Sequence, residues 1–211
     1  MVFAPPSVQQ KPSAENRRNS MSRNILICGV GGQGTVLAAK LIAQAAVSAG
    51  KKVLSAETIG MAQRGGSVVS HVRIGEDAFS PLIPKQQADI IISFEAAEAV
   101  RNLSFLKPNG MIIVNKKVVQ PVTASLTGKT FSEDTMIQAL NGCTPNVTCV
   151  DTDKGCTVLG SPKVVNTLLL GAACRTGIIE MKDIEQAIKL LVKPAFYDLN
   201  IQALHYGQQL A

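Results

Sequence analysis

The feature that most constrains this chain is an apolar run that breaks into glycines and then into an alanine-rich helix. Asn24 to Cys28 (N-I-L-I-C) reads as a short buried strand, ending in Gly29-Val30-Gly31-Gly32-Gln33-Gly34. From Gly34 to Ser48 the chain is rich in Ala and Leu and free of Pro, so a helix follows, and Gly50 closes it as a C-terminal glycine. Val53 to Ala56 is a second strand. Strand, glycine turn, helix and strand make a βαβ unit, whose crossover is expected to be right-handed. The expected fold is therefore α/β, Rossmann-like and doubly wound, with a mostly parallel sheet.

The remaining segments fit that frame. Val68 to Ile74 alternates in period two and reads as a strand, and Ile90–Phe94 and Met111–Asn115 are further apolar strands. A helical stretch, Glu95 to Asn102, lies between the last two, and Pro108-Asn109-Gly110 reads as a turn feeding the second of them. Val147–Val150 is another strand candidate. The C-terminal third is expected to be helical, over Pro162–Arg175, Lys182–Val192 and Ala195–Gln209. The chain has 211 residues with 46% hydrophobic, no Trp and 4% aromatic, so its core must be built from Ala, Val, Ile and Leu. Such aliphatics suit helices packed on a parallel sheet. Residues 23–211 read as one domain. Residues 1–22, rich in Pro, Ser, Gln and Asn, read as a disordered extension.

Composition excludes several function classes. The formal net charge is +6, but Lys11, Arg17 and Arg18 of the extension supply part of it and the rest is unclustered. A nucleic-acid partner requires a concentrated basic face, so none is expected. The five cysteines, Cys28, Cys143, Cys149, Cys156 and Cys174, form no C-x-x-C pair, no disulfide framework and no cluster-binding run. They read as small buried residues of a protein in the reducing cytoplasm. No segment has the roughly 18 apolar residues of a membrane span, and residues 1–22 lack the apolar run of a signal peptide.

Two segments carry ligand-like chemistry. In the glycine loop, Gly29, Gly31, Gly32 and Gly34 allow a tight turn and close backbone approach, the helix start offers free N–H groups to an anion, and Gln33 and Thr35 add polar side chains. The same glycines would also serve an empty packing turn, and both readings stay open here. A nicotinamide reading needs an acid at the end of the second strand, where Glu57 stands. The second segment, Glu57-Thr58-Ile59-Gly60-Met61-Ala62-Gln63-Arg64-Gly65-Gly66-Ser67, follows that strand at the carboxyl edge of the sheet. Arg64 brings a planar fork of donors suited to carboxylate or phosphate, and Gly65 and Gly66 permit close approach. A salt bridge to Glu57 or to another subunit is the plainer role for Arg64. His71 and His205 are the only histidines, far apart in sequence and without metal-ligand spacing, and each reads as structural. No nucleophile elbow, Walker loop or triad is present.

The motifs G-V-G-G-Q-G-T, E-T-I-G-M-A-Q-R-G-G-S-V-V-S-H-V-R and G-S-P-K-V-V-N-T-L-L-L-G-A-A together resemble the gamma domain of 2-oxoacid:ferredoxin oxidoreductases. The pyruvate and 2-oxoglutarate members usually carry Tyr-Gly-x-Glu-x-Arg-Gly-Gly. Here the segment is Gly60-Met61-Ala62-Gln63-Arg64-Gly65-Gly66, which is similar to the small (beta) subunit of the indolepyruvate enzymes. The resemblance implies a cluster-free subunit without catalytic residues of its own. Thiamine diphosphate and the iron–sulfur clusters would be carried by a large alpha subunit, with ferredoxin reached through the complex. The reaction implied is oxidative decarboxylation of an aryl pyruvate with coenzyme A to an aryl-acetyl-CoA. Gly29, Gly31, Gly32, Gln33, Gly34, Thr35, Gln63, Arg64, Gly65, Gly66 and Asn166 would then shape a subunit interface or help place coenzyme A. A free-standing NAD(P)-dependent oxidoreductase and a non-catalytic scaffold are the rival readings.

Overall fold

The computed structural model describes residues 22–59, 65–120 and 132–211. Gln63 and Arg64, and residues 1–21 of the expected extension, lie outside them. The strands are β1 (Arg23–Val30), β2 (Val53–Ile59), β3 (Ser67–Ile74), β4 (Ala88–Ser93), β5 (Leu106–Asn115) and β6 (Val147–Val150). They form one sheet in the order β2-β3-β1-β4-β5-β6. β1, β4, β5 and β6 pair in parallel, whereas β3 runs antiparallel to both β1 and β2. The expected α/β, mostly parallel sheet is therefore present, with one reversed strand inserted between β1 and β2.

The central strands read as continuous apolar runs because both of their faces are covered. Ile25 to Cys28 in β1 and Ile90 to Ile92 in β4 are fully buried. On one face Ile25, Ile27, Val72, Ile90 and Ile92 pack beneath α1 (Thr35–Ser48), α5 (Val165–Cys174), α6 (Met181–Leu191) and α7 (Tyr197–Gln209). On the other, Leu26, Cys28, Ile91, Ile112 and Val114 pack beneath α2 (Ala96–Arg101) and α3 (Glu133–Asn141). α1 buries Ala38, Ala39, Ile42, Ala45 and Ala46, the spacing of one helix face. It ends as expected, with Gly50 at φ +72 donating to Val47 O at 2.9 Å. α4 (Thr152–Leu159) packs with α5 and α7 around a smaller cluster at the C-terminal end.

Three details differ from the sequence expectation. Pro108-Asn109-Gly110 is not a separate turn but part of β5, where the register with β4 shifts between Ala88 and Ile90 and Asn109 takes φ +60. The first and third of the expected C-terminal helices each begin as a short 3-10 turn, Pro162–Val164 before α5 and Pro194–Phe196 before α7. α3 and α4 were not expected at all. Each starts on a side-chain cap, Ser132 accepting from Thr135 N and Asp151 from Lys154 N, and each is short and weakly apolar.

His71 is buried on β3, and its Nδ1 accepts from the Ile83 backbone N–H at 3.2 Å. The ring meets Phe105 edge-on at 5.6 Å. Burial lowers its pKa from the ordinary 6.5, so the folded chain holds a neutral imidazole with the proton on Nε2. Unfolded His71 binds a proton below about pH 6.5 while the folded form resists it. Its stabilising effect is therefore present above that pH and is lost as pH falls toward the depressed folded value. The expected result is that the urea midpoint drops less between pH 7.5 and pH 5.5 in His71→Gln than in the wild type. Equal drops in both proteins would contradict it.

Candidate functional site

The carboxyl edge of the sheet has a topological switch between β1 and β4. The connection leaving β1 runs toward β2 on one side, and that leaving β4 runs toward β5 on the other. Open α/β sheets bind ligands at such a crevice. The glycine loop fills it. Phe94, fully buried, follows β4, and its backbone N–H donates to Cys28 O at 2.8 Å. Its Cβ lies where a Gly29 side chain would begin, at 2.8 Å, with Gln33 Oε1 at 2.7 Å and Thr35 Cγ2 at 2.9 Å. Gly29 is thus a packing glycine. Gly32 and Gly34 serve differently, taking φ +98 and +91 to turn the chain into α1.

The loop is braced from within and from β3. Gln33 Oε1 accepts from Val30 N at 2.7 Å, so this side-chain carbonyl closes the turn. Gly31 N donates to Gly66 O at 2.8 Å. Gly65, at φ +78, turns the chain into β3, and Ser67 Oγ then donates to Glu98 Oε2 at 2.6 Å. The residue after Arg64 is therefore the start of a stretch pinned against the glycine loop. Asn166, near the start of α5, is brought beside Gly34. A Cβ there would meet the Asn166 side chain at 3.6 to 3.8 Å.

Two clefts open on either side of Gly32 and Gly34. One, of about 500 Å³, is mostly apolar and is lined by Gly31, Thr35, Val36, Leu37, Lys40 and Val68. The other, of about 470 Å³, lies between the loop, the end of β5 and the start of α4. Asn115, Lys117, Thr152, Asp153, Lys163 and Asn166 line it together with Gln33. Among the residues singled out in sequence, Gly31, Gly32, Gln33, Gly34, Thr35 and Asn166 converge on these clefts.

Behind the loop lie two carboxylates that sequence reasoning passed over. Glu95 caps α2, its Oε2 accepting from Glu98 N at 2.7 Å and its Oε1 from Val119 N at 2.9 Å. Burial pushes the Glu95 pKa above the usual carboxylate range. Glu98, also buried, pairs with Arg101. The signal was the acid pair of S-F-E-A-A-E after a strand, an N-cap followed three residues later by Glu. Cys28 donates to Ser93 Oγ at 3.3 Å, and burial drives its pKa up to about 12, so it is an inert thiol at neutral pH. Lys117, Thr152 and Lys163 carried no local signal.

Glu57 is not brought to the glycine loop. It pairs with Ser70 of β3, and Ser70 pairs in turn with Ile27 of β1. It therefore stands two strand spacings, about 10 Å, from β1. A ribose-binding acid has to sit on the strand beside the loop strand, and here that place is taken by β3.

The fold and the glycine loop at its switch point define a Rossmann-like α/β domain. The chain belongs to the pyruvate ferredoxin/flavodoxin oxidoreductase family, whose signature matches residues 24–210. It is 42% identical over 196 residues to the indolepyruvate oxidoreductase subunit IorB of Archaeoglobus fulgidus, covering 90% of this chain and 96% of that protein. It is 35% identical over 195 residues to the protein of the same name from Pyrococcus horikoshii, covering 89% and 95% respectively. The crystal structure of pyruvate oxidoreductase subunit PORC from Thermotoga maritima superposes with a TM-score of 0.66 at 26% identity, over 90% of this chain and 96% of that one. Among the described residues no helix is long and apolar enough to cross a membrane.

Proposed function

We propose that this chain is the small subunit of an indolepyruvate-type 2-oxoacid:ferredoxin oxidoreductase in the cytoplasm and has no activity alone. The carrying observation is similarity to subunits named for indolepyruvate oxidoreductase along nearly the whole of both chains. In the complex, an aryl pyruvate would lose CO2, its acyl carbon would pass to the thiol of coenzyme A, and the electrons released would reduce ferredoxin. Thiamine diphosphate and iron–sulfur clusters on the large alpha subunit would do this chemistry, since cofactors carry the hard steps. This chain's contribution is binding and orientation, with the glycine loop, Gln63, Arg64, Gly65, Gly66 and Asn166 placing coenzyme A or the partner subunit. The pinning of Gly66 and Ser67 supports a fixed position for the turn that follows Arg64.

The test is reconstitution. Co-expressed with its large partner, the chain should support indolepyruvate- and coenzyme A-dependent reduction of ferredoxin, and leaving it out should abolish the activity. In the same complex Arg64→Ala should cut the rate at least about tenfold, the loss expected when one charged hydrogen-bonding contact to a ligand or partner is removed. The thermal midpoint of the isolated subunit should stay unchanged. A large fall in that midpoint would assign Arg64 to a structural salt bridge instead.

A further inference from the structure

We infer that the outer edge of β2 is an interface between two copies of this chain, which pair β2 with β2 antiparallel about a two-fold axis in a register set by Lys51 and Glu57. This surface shares no residue with the two clefts at the glycine loop.

The sheet has two edges, and they differ. β6 has four residues. β2 has seven and no Pro, and its register with β3 runs from Val53 to Ile59 without a shift. The pairing continues to Lys52, whose carbonyl accepts from Gly75 N at 2.9 Å. No hydrogen bond among the described residues reaches the outer side of β2. Such an edge recruits another strand unless a proline, a bulge or a charge in mid-strand blunts it. The middle of this edge, Val53-Leu54-Ser55-Ala56, is uncharged, and the charges flank it, with Lys51 and Lys52 before and Glu57 after.

The spacing of those charges selects a second copy. Directly opposed residues of antiparallel strands share a face of the sheet. A two-fold axis that pairs β2 with itself must therefore set one residue opposite its own copy. Glu57 can then oppose Lys51, which shares its face by the two-residue period, but it cannot oppose Lys52. That register puts Leu54 opposite its own copy, Val53 opposite Ser55 and Lys52 opposite Ala56. The axis generates the Lys51–Glu57 pair twice, and every other two-fold register leaves these charges unopposed. Neither Lys51 nor Glu57 has an ion-pair partner among the described residues. Self-complementarity of one patch is what an interface between identical subunits requires.

Phe79 adds an anchor at the same edge. It is 92% exposed, yet the loop that carries it is fixed. Arg73 Nη1 donates to Ser80 O at 2.9 Å, and the Ile83 N–H donates to His71 Nδ1 at 3.2 Å. Lys52 Nζ stands 5.8 Å from the centre of the Phe79 ring. The ring therefore lies where Ala56 of the second copy arrives, and that small side chain leaves it room. Rigidly held aromatic rings are the residues that anchor interfaces, and the two-fold axis supplies one at each end.

The experiment is light scattering behind gel filtration on the full chain, alone and co-expressed with its large partner, together with cysteine cross-linking. The wild-type chain alone is expected to be a dimer at micromolar concentration. Lys51→Glu and Glu57→Lys should each weaken it at least tenfold, and the two combined should restore it, while Lys189→Glu on α6 changes nothing. Phe79→Ser should also weaken it. Circular dichroism matching the wild type would show that these surface variants fold. Leu54→Cys should give a disulfide-linked dimer on mild oxidation, because opposed Cα atoms stand about 4.5–5.5 Å apart, within disulfide reach. Ala56→Cys should not, since its two copies lie on opposite sides of the axis, beyond the roughly 7 Å limit. The wild type controls for the native cysteines. The proposal is overturned if the wild-type chain is monomeric at every concentration, if the double variant fails to restore the dimer, or if Ala56→Cys cross-links as readily as Leu54→Cys. Cross-linking of Leu54→Cys to the large partner instead of to its own copy would assign the edge to that partner and overturn it too.

Discussion

Gly171→Val is expected to lower the unfolding midpoint by roughly 10 °C or more. Gly171 of α5 lies against α7 so closely that a Cβ would stand 2.0 Å from Leu204 O and 3.0 Å from Gln208 N. The contact is reciprocal, since a Cβ on Gly207 of α7 would stand 2.1 Å from Leu168 O. Overpacking that side chains absorb costs about 1–3 kcal/mol. Here the obstacle is backbone on both helices, and no rotamer relieves it. The helices must separate, so the cost exceeds that range, and each kcal/mol is worth about 2–4 °C in a domain of this size. Gly171→Ala should show the same direction with a smaller size. A midpoint within about 2 °C of wild type for the valine variant would refute this account of the crossing.

Phe94→Ala is expected to destabilise the chain by about 3–5 kcal/mol, the range for deleting a large buried aromatic ring. Among the described residues Phe94 is the largest fully buried side chain, and it sits at the switch point beneath Gly29. Its loss would leave a cavity under the turn that aims Gly32 and Gly34 at the two clefts. Phe94→Leu should recover more than half of the loss by refilling part of that space. Urea unfolding of the three proteins at neutral pH measures this, and a loss below about 1 kcal/mol for Phe94→Ala would show that the loop does not depend on the ring.

The stretch G-S-P-K-V-V-N-T-L-L-L-G-A-A gains a physical explanation from the two ends of one helix. Asn166 and Gly171 are five residues apart, which at 3.6 residues per turn puts them about 140° apart around α5. One faces the glycine loop, and the other lets α7 approach. Ser161, second in the stretch, accepts from Lys163 N at 3.3 Å, and Pro162 starts the 3-10 turn that leads into α5. A ligand-facing residue and a packing residue are thus interleaved in one motif.

Most elements were legible because their information is local. A buried strand is an apolar run, an amphipathic helix repeats near 3.6, and glycine marks a backbone that other residues rarely adopt, so β1, α1, β4 and the turn at Gly32–Gly34 could be read directly. The short α3 and α4 were missed because their apolar faces are thin and Gly155 interrupts the second. Strand order was not legible. Nothing in Ser67–Ile74 says that it reverses and inserts beside β1, yet that insertion carries Glu57 away from the loop and removes the nicotinamide reading. The polar cleft is the same kind of fact. The sequence by itself determined the family, the element types and the glycine loop. Only the tertiary structure decided that Lys117, Thr152, Lys163 and Asn166 stand together, because they come from separate connections that meet only where parallel strands end at one edge of the sheet.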